Sequence, residues 1–194
     1  NWMTMGVFWL PLAASLTFIN LWYDSDPTAL TSVFGQIDAK GLDTAANVAT
    51  FWGFLSMTLI GAGLHIQNRL LDRKMSSEAG ASLIGVAWMG LSMLLLVSAF
   101  TDYRPQTVYS SLFFAPFGLL AAGMLGNHLI TIHDGDSGEF HVSSWLVVLS
   151  MAALTYGALY NICYYFSGDM EAVWWSSKAL HGWWLVPMSM AIAC

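Results

Sequence analysis

The sequence predicts an all-α fold: a polytopic integral membrane protein with six transmembrane helices, forming a single bundle over residues 1–194. Three observations carry this. Only 9% of the residues are charged and 57% are hydrophobic, where a soluble domain carries about 25% charged residues. The charges that exist are confined to short stretches between long charge-free runs. Aromatic residues, among them Trp2, Trp22, Tyr23, Tyr103, Tyr109, Trp145, Tyr164, Tyr165, Trp174 and Trp175, gather near the ends of those runs, where amphipathic rings meet the lipid headgroups. Mean hydropathy is +0.59. A net charge of -6 argues against a nucleic-acid partner, which needs a basic face. Cys163 and Cys194 give neither a disulfide framework nor a CxxC metal site.

The runs are Asn1–Tyr23, Thr44–Asn68, Ala79–Thr101, Pro105–His133, Phe140–Gly168 and Ala179–Cys194. A helix rises ~1.5 Å per residue and needs ~20 apolar residues to cross the hydrocarbon core. The expected spans are therefore 4–23, 46–68, 80–100, 107–132, 143–166 and 177–194. The first has no basic leader and no small-residue cleavage site, so it reads as a retained helix. The sixth is the shortest and is expected to cross only if it starts near Ser176 and tilts little, or if the protein continues beyond Cys194. The runs are continuously apolar rather than alternating, which disfavours a β-barrel; helices then satisfy every backbone group inside the bilayer. Trp9, Trp52 and Trp88 lie deeper than the other indoles and are expected to pack in the core.

Two loops carry further signals. In Asp24–Asp43, Leu30, Val33, Phe34 and Ile37 follow i, i+3, i+4, i+7, one apolar face of about two helical turns. Asp26-Pro27 is a helix entry and Gly41 a stop, so a short amphipathic helix is expected within 28–39, as a packed loop or as a lid. The loop RLLDRKMSSE holds Arg69, Arg73 and Lys74. Positive charge beside a span end stays in the cytoplasm, which places this loop and the N-terminus on the cytoplasmic side.

The ends of spans 2 and 4, GAGLHIQNRLLD and GMLGNHLITIHD, align His65 with His128 at a period of about 60 residues. That period suggests three stacked helical hairpins. Gly118, Ala122 and Gly126 recur every four residues in span 4. Small residues let membrane helices approach closely, which makes span 4 the expected centre of the bundle.

Apart from Lys178 at the very start of the sixth, no carboxylate or cation lies inside a predicted span, which disfavours ion-coupled carriers and proton pumps. There is no GxSxG or HExxH, and no catalytic residue is assigned. The candidate cofactor-binding residues are His65 and His128. Two imidazoles at similar depth could hold a b-type haem iron axially, and each alone could ligate a chlorophyll magnesium. The plainer alternative is that each hydrogen-bonds a headgroup, a carbonyl or Asn127. His133 and His141 flank an acidic loop that offers mixed ligands to a divalent cation, although a solvated loop is the plainer reading and no metal site is assigned. His181 begins span 6 in an interfacial position.

The layout resembles a six-helix bacterial and archaeal membrane family of unknown function, distantly Frag1/DRAM-like. The resemblance rests on DSDPTALTSVFGQIDAKG, Asn47, FWGFLSMTLIGAGL and MGLSMLLLVSAFTDYRP. It implies six spans and no settled activity.

Three functions remain in view. The first is a non-enzymatic accessory or structural subunit of a membrane complex, whose partners are the lipid bilayer and other membrane subunits or further copies of the chain. The second is a haem b- or chlorophyll-binding subunit of an energy-converting complex, using His65 and His128. The third is a lipid-handling membrane enzyme. Tyr156, Tyr160 and Tyr164 form one stripe on span 5. A hydroxyl held in hydrocarbon without a partner costs a few kcal/mol, so the stripe is expected to face protein, either in this chain or in a partner.

Overall fold

A computed structural model describes residues 2–35, 38–101, 111–134, 141–167, 171, 175 and 179–193. Among the described residues all regular structure is helical, and no strand is present. The elements are α1 (Trp2–Ser25), α2 (Pro27–Phe34), α3 (Ala39–Leu70), α4 (Glu78–Ser98), α5 (Ser111–His133) and α6 (Val142–Ser167). A wide π-type turn, Ala179–Trp184, then leads into α7 (Leu185–Ala193). Five helices are long and apolar enough to cross a membrane: Trp2–Ser25, Ala39–Leu70, Glu78–Ser98, Phe114–His133 and Val142–Tyr160. The last expected span corresponds to a shorter apolar helix, Gly182–Ala193.

The loop after α1 holds the expected short helix. The Asp26 carboxylate accepts from the Ala29 amide at 3.0 Å and from the Thr28 hydroxyl at 2.7 Å, and Pro27 occupies the first turn. This satisfies donors that a helix start leaves open. Leu30 is buried and Val33 is exposed, so only part of the predicted apolar face is covered; Ile37 lies outside the described residues. The stop is Gly35, at φ 79°, a left-handed conformation that glycine adopts at little cost. Gly41 is not the stop. It lies buried in the first turns of α3, where a Cβ would stand 3.0 Å from the Ala99 carbonyl oxygen, so close approach accounts for this glycine.

α3 is 32 residues long, about 48 Å at the α-helical rise and longer than a ~30 Å hydrocarbon core requires. Its extra turns carry Asp43, whose carboxylate accepts from the Asn20 and Asn47 amides at 3.4 and 3.3 Å. Its middle, Val48–Leu55, is wound as a π-helix. Such widening opens the backbone to side-chain donors. The Trp52 carbonyl receives the Trp88 indole N–H at 3.0 Å and the Ser92 hydroxyl at 3.2 Å. The Ser56 hydroxyl donates to the same oxygen. The core grows around this point: the Trp52 ring lies 4.4 Å from Phe117 and 5.9 Å from Trp88, and Phe51 meets Trp184 edge-on at 5.3 Å. These spacings suit tilted and edge-to-face aromatic contacts. Trp9, Trp52 and Trp88 are all buried, as their depth in the sequence predicts.

α3, not the helix expected from its small-residue repeat, occupies the centre. It packs against α1, α4, α6 and α7 and reaches α5 through Trp52, whereas the backbone of α5 lies closest to α4 and α6. Half of the most apolar stretch of α3 is buried, against a third for α5. Glycines on α1 and α3 make their approach possible. A Cβ on Gly6 would lie 2.8 Å from the Thr58 amide nitrogen, and one on Gly61 would lie 2.7 Å from that of Met3. On α5, Gly118 meets Leu159 of α6, but a Cβ on Gly126 would meet nothing within 4 Å, so that repeat is only partly a packing face.

Candidate functional site

One end of the bundle collects the start of α1, the α3–α4 loop, the end of α5 and the start of α6. The loop is fastened to α5 by side chains on one helical face. Asn127 pairs with the Ser77 backbone in both directions, donating from Nδ2 to the carbonyl and accepting from the amide, each at 2.9 Å. Thr131, one turn further on, accepts from the Ser76 amide at 2.9 Å. Arg73 donates from its guanidinium to the Asp134 carbonyl. Ser77 then caps α4, accepting from the Gly80 amide at 3.0 Å. The connection begins with Asp72 at φ 48°, a left-handed conformation that aspartate tolerates better than most residues.

Two cavities open against this fastened loop. A cleft of about 340 Å³ between α1, α3 and α4 is apolar along Trp2, Met3 and Leu64 and polar at His65, Asn68 and Glu78. Beside it, a pocket of about 300 Å³ is walled by His65, Asn68, Arg69, Asp72, Arg73 and Lys74. His65 and Asn68 line both. Trp2 closes the apolar part; it is buried and donates its indole N–H to the Ala81 carbonyl at 2.9 Å.

The two histidines aligned by sequence occupy different settings. His65 is exposed and lines the cleft. His128 is buried at 2% exposure and does not line it. Asn127 is committed to Ser77 rather than to an imidazole. At the same end, the Ser144 hydroxyl donates to Gln67 Oε1 at 3.1 Å. Gln67 Nε2 and His128 Nε2 are both buried without a hydrogen-bond partner among the described residues. Such groups are costly in a dry interior; chemically, the imidazole retains the capacity to bind a metal, a water or a polar ligand atom. His133 and His141 are exposed, and the acidic loop 135–140 between them lies outside the described residues. No group of three metal-ligating side chains occurs among the described residues. The side chain of His181 also lies outside them.

Thr131 and Gln67 were not singled out from sequence, and Asn127 only as a partner for an imidazole. Their signal is the i, i+4 spacing of Asn127 and Thr131 at a span end beside a polar loop, and an amide within an otherwise apolar run.

A second feature lies on the lateral face. A groove of about 480 Å³ between α6 and the C-terminal segment is lined by Leu149, Ala152, Ala153, Tyr156, Trp183 and Val186, among others. Tyr156 is 43% exposed and stacks on Tyr160 at 5.1 Å. Interior packing within this chain is therefore not what accounts for Tyr156. Tyr164 has its side chain outside the described residues.

No family model, no curated protein and no solved structure matches the chain.

Proposed function

We propose that the chain is a non-enzymatic subunit of a membrane complex, and that a transmembrane helix of another subunit occupies the groove between α6 and α7. The observation that carries this reading is Tyr156. Its phenol stands exposed within an apolar span, where acyl chains offer no hydrogen-bond acceptor and an unmet hydroxyl is costly. A partner helix supplies carbonyls and side-chain acceptors. Ala152, Ala153 and Gly182 keep the groove floor low, which suits close backbone approach between helices. In this reading the segment Ala179–Ala193 completes a sixth span, the helices stack as hairpins, and the end bearing Arg69 faces the cytoplasm.

Photocrosslinking in native membranes tests this. A photoreactive residue in place of Leu149 is expected to give a discrete adduct with a different protein, lost or much reduced in Tyr156→Phe and Ala153→Leu. An adduct between two copies of the chain replaces the heterologous partner with a homo-oligomer. Lipid adducts alone overturn the reading. A second reading is the haem b- or chlorophyll-binding subunit using His65 and His128; what supports it is the buried, unpartnered Nε2 of His128, while the exposure of His65 on the cleft does not. A visible absorption spectrum of the protein purified from its native membrane tests it directly.

A further inference from the structure

The cations beside α3 are usually explained by topology alone: positive residues stay inside, and Arg69 in the last turn of a helix also complements its negative end. Neither explanation requires a cavity. Charges serving topology can stand apart from one another, yet here the exposed Arg69, Arg73 and Lys74 gather with the single carboxylate of Asp72 around one shallow, open hollow. That pocket shares His65 and Asn68 with a cleft whose other side is Trp2, Met3 and Leu64. A ligand filling both needs a negative head and an apolar body.

We propose that this end of the bundle binds one anionic glycerophospholipid. Its phosphodiester lies among Arg69, Lys74 and His65, its headgroup hydroxyls reach Asn68 and Glu78, and one acyl chain runs along Trp2 and Leu64. Three observations converge on this. The exposed charges gather around one shallow, open hollow rather than being scattered along the loop. The cavity adjoins an apolar cleft at a span end, the level at which lipid phosphates lie, and basic pockets between membrane helices are suited to anionic headgroups. The loop bearing Lys74 is also held in place before any ligand arrives, because Asn127 and Thr131 bond its backbone and Arg73 reaches the Asp134 carbonyl. A preformed site loses less conformational freedom on binding. Glu78 faces the cleft rather than the basic pocket, so it can accept from hydroxyls without lying among the cations.

Native mass spectrometry of the delipidated full chain in detergent tests this, with phosphatidylglycerol and phosphatidylcholine at matched concentrations. Phosphatidylglycerol is expected to be retained preferentially. Arg69→Gln and Lys74→Gln are each expected to lower its retention about five-fold, the effect of one cation at a charged lipid surface, and to leave phosphatidylcholine unchanged. Both side chains are exposed, and an unchanged circular dichroism spectrum verifies the fold. Asn127→Ala keeps every charge but releases the loop, and is expected to reduce the preference as well. Equal retention of the two lipids, or an undiminished preference in both charge variants, overturns the proposal. Displacement of the lipid by excess inorganic phosphate alone would make the ligand a free phosphate and overturn the lipid assignment.

Discussion

The Trp52 carbonyl shows how much a single backbone atom can organise. Three side chains from two helices donate to it: Trp88, Ser92 and Ser56. Trp88→Phe keeps most of the ring packing and deletes an N–H shared between Trp52 O and Ser56 Oγ. The expected cost is about 1 kcal/mol, whereas Trp88→Ala opens a cavity and costs about 3–5 kcal/mol. Combining Trp88→Phe with Ser92→Ala is expected to be non-additive, because both remove donors from one acceptor. Unfolding in mixed micelles measures all of these. Asp26 supplies a pH dependence at the same scale. Hydrogen bonds from the Thr28 hydroxyl and then the Ala29 amide hold its carboxyl below the ordinary carboxylate value. The contribution of this cap to α2 is therefore fully present above the unfolded-state value and is lost as pH falls through the lower, folded one. The Ala29 amide resonance is expected to report that titration and to lose it in Asp26→Asn.

At the scale of the helix, glycine position matters more than glycine number. Gly61→Ala would set a Cβ 2.7 Å from the Met3 backbone nitrogen, where nothing flexible yields; separating α1 from α3 is expected to cost about 1–3 kcal/mol. Gly126→Ala meets nothing within 4 Å and is expected to be neutral or to gain up to about 1 kcal/mol from helix propensity. Thermal unfolding of the two variants separates these outcomes. The same contrast explains what could be read from sequence. Long charge-free runs mark the apolar helices well, because burying a charge in hydrocarbon is costly whatever the packing. The early start of α3 was hidden by Asp43 and Lys40, polar residues that belong to a helix longer than the hydrocarbon core requires. Gly41 read as a stop because a sequence does not reveal that the Ala99 carbonyl approaches it. His65 and His128 looked equivalent by alignment. The π winding of Val48–Leu55 offsets the phase of every residue after it, and a constant period of 3.6 does not register such an offset. The cleft was illegible for a related reason: Trp2 and Glu78 are joined only by packing.

For the whole molecule, the two ends of the bundle differ in character. One brings together Trp2, Met3, the α3–α4 loop and the end of α5. The other brings Gly41 of α3 to Ala99 and Phe100, just beyond α4. This pairing fits an even number of crossings between the N-terminus and the α3–α4 loop. With Cys163 and Cys194 replaced by serine, a single cysteine introduced at Ser76 is expected to react only with membrane-permeant reagents, and one at Ser32 with impermeant ones as well. The reverse pattern would invert the proposed orientation. The indole of Trp2 connects the first of these ends to the interior. It borders the cleft, lies 6.0 Å from Trp88, and Trp88 lies 5.9 Å from Trp52. Three chromophores so close share their electronic excitations, and the shared transitions rotate near-ultraviolet light according to the angles between the rings. A ligand that bound in the proposed cleft and turned Trp2 would therefore be expected to change the near-ultraviolet circular dichroism of a ring cluster reaching deep into the bundle.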